Sequence, residues 1–127
     1  METDKRIGIW MDHLNAILID ANLGKITNTI ESKFTHEVKV EALHHGESGM
    51  HHKEHQLQLN YYKQIAEEIA KYNTILLFGP TDAKQELHNY LMKQEHFKEI
   101  EMHVLAADKM TENEKIAFVR NHFNKVL

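Results

Sequence analysis

Over residues 6 to 34 the apolar side chains fall on alternate positions. Ile7, Ile9 and Met11 alternate with Gly8, Trp10 and Asp12, and Ala16-Ile17-Leu18-Ile19-Asp20 follows a short His13-Leu14-Asn15 turn. Ile26 to Phe34 alternates again, with threonines between the apolar positions. A period of two belongs to strands with one face covered. Asn22-Leu23-Gly24-Lys25 reads as a hairpin loop, with glycine where φ must be positive. Such tight connections make the three strands antiparallel neighbours. The threonine-bearing third strand suits a sheet edge, where it can pair between subunits, so a homo-oligomer is open to this chain.

From about Lys53 the period changes. Leu57, Tyr61, Ile65 and Ile69 lie four apart, and Tyr62, Ala66 and Ala70 widen the stripe into an amphipathic helix ending near Lys71. Thr74 to Phe78 is a continuous apolar run, expected of a strand covered on both faces. Gly79-Pro80-Thr81 stops it; Thr81 is the expected N-cap and Asp82 the first turn of a second helix carrying Ala83, Leu87, Tyr90 and Leu91. A last strand spans roughly residues 100 to 106. Thr111-Glu112-Asn113-Glu114 is a capping box that opens a third helix, with Ile116, Val119, Phe123 and Val126 on one face. The expectation is an α/β domain: a five-stranded mixed sheet of three antiparallel strands followed by strand-helix alternation, with three helices and right-handed crossovers. The 127 residues read as one domain, 1–127, without repeat or linker.

Between Glu31 and Tyr61 neither period holds. Six of the eleven histidines (His36, His44, His45, His51, His52 and His55) lie in this stretch, with two glycines. The expectation is a flexible, His-rich loop over about 35–55, and a loop of that length in a small domain carries function. Composition narrows the field. The 42% apolar content argues against global disorder, and the absence of cysteine removes disulfides and thiolate metal sites. The net charge of −4 gives no general affinity for nucleic acid, which rests on cations displacing counterions from phosphate. Lys5-Arg6 precede only a short apolar run broken by Asp12 and His13, neither a signal peptide nor a membrane span, so a cytoplasmic protein is expected.

The order of elements is similar to the ribonuclease-H-like fold of the middle domain of the eukaryotic and archaeal class I peptide-chain release factor and of Pelota. Ile7-Gly8-Ile9-Trp10-Met11-Asp12 with Asn15-Ala16-Ile17-Leu18-Ile19 resembles that domain's opening hairpin. Tyr61-Tyr62-Lys63-Gln64-Ile65-Ala66-Glu67-Glu68-Ile69-Ala70 resembles the helix after its functional loop. Ile75-Leu76-Leu77-Phe78-Gly79-Pro80-Thr81-Asp82-Ala83-Lys84-Gln85-Glu86-Leu87 is similar to the strand-Gly-Pro-helix segment of bacterial and archaeal members, and is the most specific piece. The likeness runs over about residues 6 to 126. In release factors the loop after the third strand carries Gly-Gly-Gln, which enters the ribosomal peptidyl transferase centre and positions the hydrolytic water. Here it reads His44-His45-Gly46-Glu47-Ser48-Gly49-Met50-His51-His52-Lys53-Glu54-His55-Gln56, with no adjacent glycine pair. Peptide-release catalysis therefore transfers to no residue. The resemblance also implies neighbouring domains for which this chain has no room. It points to a stand-alone relative that binds a ribosome or translation factor without hydrolysis, through a contact loop of His44, His45, Gly46, Glu47, Gly49, Met50, His51, His52 and His55.

The same loop supports a second expectation, a metal-binding or metal-responsive protein. Neutral imidazole suits zinc, nickel and copper, and His51 and His55 share a helix face if the helix begins early enough, with His44, His45 or Glu47 completing a tetrahedral set. No spacing matches a zinc signature, and a solvated loop that titrates near neutral pH is the simpler account. Protonated histidines could also meet RNA, but the loop lacks aromatic stacking platforms. Gly79-Pro80-Thr81 at a helix start, with Lys84 nearby, invites an anion, yet Asp82 already supplies negative charge there. Asp12 and Asp20 at strand ends invite comparison with nuclease carboxylates, which must converge on a pair of metal ions. His13 beside Asp12 reads as a turn residue, and Trp10, Met11, Tyr61 and Tyr62 as core. No nucleophile-base pairing or dinucleotide-binding pattern is legible, so no catalytic residue is expected.

Overall fold

A computed structural model describes residues 4–32 and 46–126, with side chains for 4–32 and 54–124. Strands β1 (Arg6–Met11), β2 (Asn15–Asp20) and β3 (Lys25–Glu31) lead into the long helix α1 (Gly46–Ile69). Strand β4 (Thr74–Gly79), helix α2 (Ala83–Leu91), the single turn α3 (Glu95–Lys98), strand β5 (Glu101–Ala106) and helix α4 (Glu112–Val126) follow. The five strands form one sheet in the order β3-β2-β1-β4-β5. The first three are antiparallel, and β1-β4 and β4-β5 are parallel. The expected mixed sheet is therefore borne out, with β3 at one edge.

Period-two alternation sorts the sheet into two faces. Ile7, Ile9 and Met11 of β1, with Ile75 and Leu77 of β4, face a core closed by Tyr61, Ile65 and Ile69 of α1, Leu87 and Leu91 of α2, and Phe97 of α3. Trp10, Leu76 and Phe78 point the other way, toward Val119 and Phe123 of α4. The apolar run of β4 is thus covered on both faces, as its composition requires. Phe78 stacks on Phe118 with ring centres 4.5 Å apart, and the Lys115 ammonium sits 4.0 Å from the centre of the Trp10 ring.

Two glycines are set by close approach. A Cβ on Gly8 would lie 2.3 Å from Val119 Cγ2, because α4 crosses directly over β1 there. At Gly79, φ is +152° and a Cβ would meet the Met11 carbonyl oxygen at 2.1 Å. The hairpin glycine also behaves as expected: Gly24 has φ +69°, and its N–H donates to the Asp20 carbonyl at 2.8 Å. The capping box forms in both directions. Thr111 N–H donates to Glu114 Oε1 at 2.9 Å, and Glu114 N–H donates to Thr111 Oγ1 at 3.2 Å.

Two expectations are corrected. The helix expected from about Lys53 begins at Gly46, so the second half of the loop placed over 35–55 is helical. No apolar stripe marks those first turns, and Gly46 and Gly49 count against a helix. Glu47, Met50, Lys53, Glu54 and Gln56 are nonetheless good helix formers, and extending an existing helix needs no new nucleus. The described helices number four rather than three, because α3 is a single turn, too short for periodicity, that buries Phe97.

Candidate functional site

The parallel strands β1 and β4 lie side by side, and their carboxyl ends open onto one rim of the domain. Open α/β sheets place ligands at such a rim. The chain leaves β1 through Asp12, whose Oδ1 accepts from the N–H groups of Leu14 and Asn15, each at 2.8 Å. That Asx turn holds the intervening His13 outward. Tyr61 of α1, buried, donates its hydroxyl to the Asp12 carbonyl at 3.0 Å and ties the turn to the helix. Across the rim, Glu86 projects from α2, which follows β4.

Glu86 links three elements. Its Oε1 accepts from the Tyr62 hydroxyl at 2.7 Å, and its Oε2 lies 3.1 Å from His13 Nε2. Partial burial pushes its pKa up, but the hydrogen bonds from Tyr62 and His13, with the imidazole's charge, outweigh that and hold it below the usual carboxylate value. An ionised carboxylate only accepts, so His13 donates to it from Nε2. The Tyr62 phenol is pushed well above its ordinary value, first by burial and then by its bond to Glu86, and remains a neutral donor. Burial does the same to Tyr61, helped by the charge of Asp12. His13 and Glu86 are 42% and 48% exposed in their side chains, so the pair meets solvent and its energy is screened.

A depression of about 310 Å³ opens beside this pair, lined by His13, Glu54, His55, Gln58 and Glu86. His55 is thus the one sequence-predicted loop residue with a described side chain, and the fold brings it to the same hollow as His13. Gly46, Glu47, Gly49, Met50, His51 and His52 lie in the first turns of α1, and their side chains fall outside the described residues. His44 and His45 lie wholly outside them. The helix does run through both His51 and His55, the condition their pairing needed. Among the described residues no group of three or more His, Asp or Glu could hold a metal ion.

The other candidate chemistries resolve structurally. The register sets Asp20 opposite Ile7, five residues along β1 from Asp12, which separates the two carboxylates by roughly 16 Å and removes the nuclease pairing. At the Gly79-Pro80-Thr81 turn, Thr81 Oγ1 accepts from Ala83 N–H at 3.2 Å and its carbonyl accepts from Lys84 Nζ. Thr81 caps the helix from one residue outside the Asp82 cap position, and Lys84 is spent on the turn. His13 is a turn residue, as expected, but its partner is Glu86, 73 positions away, and not the adjacent Asp12. Nothing in local sequence pairs them.

No protein-family model and no curated protein matches this sequence. Solved structures do match its fold. Archaeoglobus fulgidus Pelota aligns with a TM-score of 0.62 at 8% identity, over 98% of this chain and 35% of its own. Thermoplasma acidophilum Pelota aligns at 0.53 and 18% identity, over 91% of this chain and 31% of its own. An archaeal translation termination factor aligns at 0.47 and 13% identity, over 96% of this chain and 39% of its own. The resemblance drawn from the sequence is borne out at the level of fold. The chain spans about a third of the length of the structures it matches.

Proposed function

We propose that this chain is a translation-associated binding module, acting in the cytoplasm, that contacts a ribosome or a translation factor without hydrolysing a substrate. The observation that carries the reading is the fold, which aligns with Archaeoglobus fulgidus Pelota across 98% of the chain. The contact element is the stretch from His44 to His55, read together with the rim that its helical part adjoins. The departure from Gly-Gly-Gln argues for binding over hydrolysis. Leu14, in the turn that carries His13, and Leu59 of α1 are 50% and 40% exposed, so both elements that line the hollow also present an apolar side chain to solvent. Gln58 reaches the His13 carbonyl at 3.5 Å and draws the turn and helix together.

Ribosome co-sedimentation tests the reading. The chain is expected in the ribosomal pellet at low salt, and the variant with His44, His45, His51, His52 and His55 all changed to alanine is expected in the supernatant. A wild-type chain that stays in the supernatant, or a variant that pellets equally well, refutes it.

A further inference from the structure

A second histidine constellation lies on the opposite face of the sheet, away from the rim. His103 and Glu101 are two apart on the edge strand β5 and so share a face, while Met102 and Val104 between and beyond them turn toward the α1–α2 core. The His103 ring meets His122 of α4, with Nδ1 of the first 2.6 Å from Nε2 of the second and ring centres 4.9 Å apart. Glu101 Oε2 holds the other nitrogen of His103, Nε2, at 3.0 Å.

We propose that His103 and His122 are the two protein ligands of a transition-metal site, for zinc or copper(II), with Glu101 as the carboxylate that orients the first of them. Donor arithmetic sets up the ligands. A carboxylate only accepts, so a neutral His103 ring, the form that binds metal, would carry its proton on Nε2 and offer a lone pair at Nδ1, toward His122. His122 fills that gap with an N–H; the metal takes the proton's place once His122 moves its own proton to Nδ1. A carboxylate on the far nitrogen of a histidine is the recurring outer partner of metal-bound imidazole.

The spacing is close to what the ion needs. Two imidazoles on one tetrahedral zinc, with bonds near 2.0–2.1 Å, place their nitrogens about 3.4 Å and their ring centres about 5.2 Å apart. The observed nitrogens, 2.6 Å apart, must separate by about 0.8 Å and the ring centres, 4.9 Å apart, by a few tenths of an ångström, movements that side-chain torsions supply. Imidazole selects zinc, copper and nickel over magnesium or calcium, and copper(II) binds a given set more tightly than zinc. Among the described residues no third protein ligand stands beside the pair. His103 is 26% exposed in its side chain, which leaves a path for the ion.

The other histidines of the chain can also take up zinc, so the test must resolve the site. Zinc is titrated into the full chain while the imidazole resonances of His103 and His122 are followed by NMR. The two rings are expected to shift together and to saturate with a dissociation constant tighter than about 100 μM, the limit above which binding is too weak to matter. Glu101→Gln, at a side chain 60% exposed and safe for folding, is expected to weaken zinc about tenfold at this pair. His122→Ala is expected to abolish the zinc response of His103. Rings that stay unmoved while the chain takes up zinc elsewhere overturn the proposal, as does a Glu101→Gln variant with unchanged affinity at the pair.

Discussion

Gly8→Ala tests the layered packing most directly. The added Cβ would stand 2.3 Å from Val119 Cγ2 and 3.0 Å from its Cγ1, where carbon atoms rest at about 3.5–4.0 Å. Helix α4 must therefore lift by about 1 Å or Val119 must leave its rotamer, and Val119 is fully buried with Phe78 and Phe123 around it. Overpacking of this kind costs about 1–3 kcal/mol, reduced by roughly 0.5–1 kcal/mol because alanine loses less backbone freedom than glycine on folding. Val119→Ala alone removes two buried methyl groups, worth about 1.5–2.5 kcal/mol with the cavity it leaves. In the double variant the new Cβ occupies the vacated space. The two costs should then fall short of their sum by about 1–2 kcal/mol, measured as a coupling energy from urea unfolding at constant m-value. Additivity within about 0.5 kcal/mol would show that α4 does not cross β1 at Gly8.

Further outcomes follow from single contacts. Gly79→Ala places a Cβ on a backbone carbonyl at a φ that side chains avoid, so it should cost more than about 3 kcal/mol or prevent folding, read by circular dichroism. Thr111→Ala removes one half of the capping box and should lower stability by about 1 kcal/mol in the same unfolding assay. Tyr72 donates to Asp20 Oδ2 at 2.8 Å, and burial first, then that bond and the Asp20 charge, push its phenol up to about 12. A raised folded value means its contribution is complete below the unfolded value near 10 and is lost as pH climbs through 12, so Tyr72→Phe should flatten the alkaline limb of the stability profile. Tyr62→Phe withdraws a hydrogen bond from Glu86, whose carboxyl should then titrate at higher pH by NMR; an unmoved titration would break the Tyr62-Glu86-His13 link.

Much of the architecture was legible because it is local. Alternation over Ile7–Met11 and Ala16–Asp20, four-residue spacing from Leu57 to Ile69, and the Thr111/Glu114 box each act within a few residues. The segments they predict are present at nearly the expected bounds. The start of α1 escaped the same reasoning, since Gly46 to Lys53 carry helix-forming side chains without an apolar stripe. The candidate chemistry was harder. His-rich sequence drew attention to positions 44–55, whereas the hollow at the rim depends on His13 and Glu86, each unremarkable in its own neighbourhood.

Periodicity, turn glycines and caps by themselves determined the kind and order of the elements, because backbone preference and one-sided burial are properties of short stretches. Tertiary structure decided which strands became neighbours. Pairing β1 with β4 brought His13 to Glu86 and Tyr62; antiparallel register sent Asp12 and Asp20 to opposite ends; and α4 folding back over the far face set His122 against His103. Those meetings join residues 19 to 73 positions apart, and proximity across such gaps is created only when the sheet and its helices close on their shared cores.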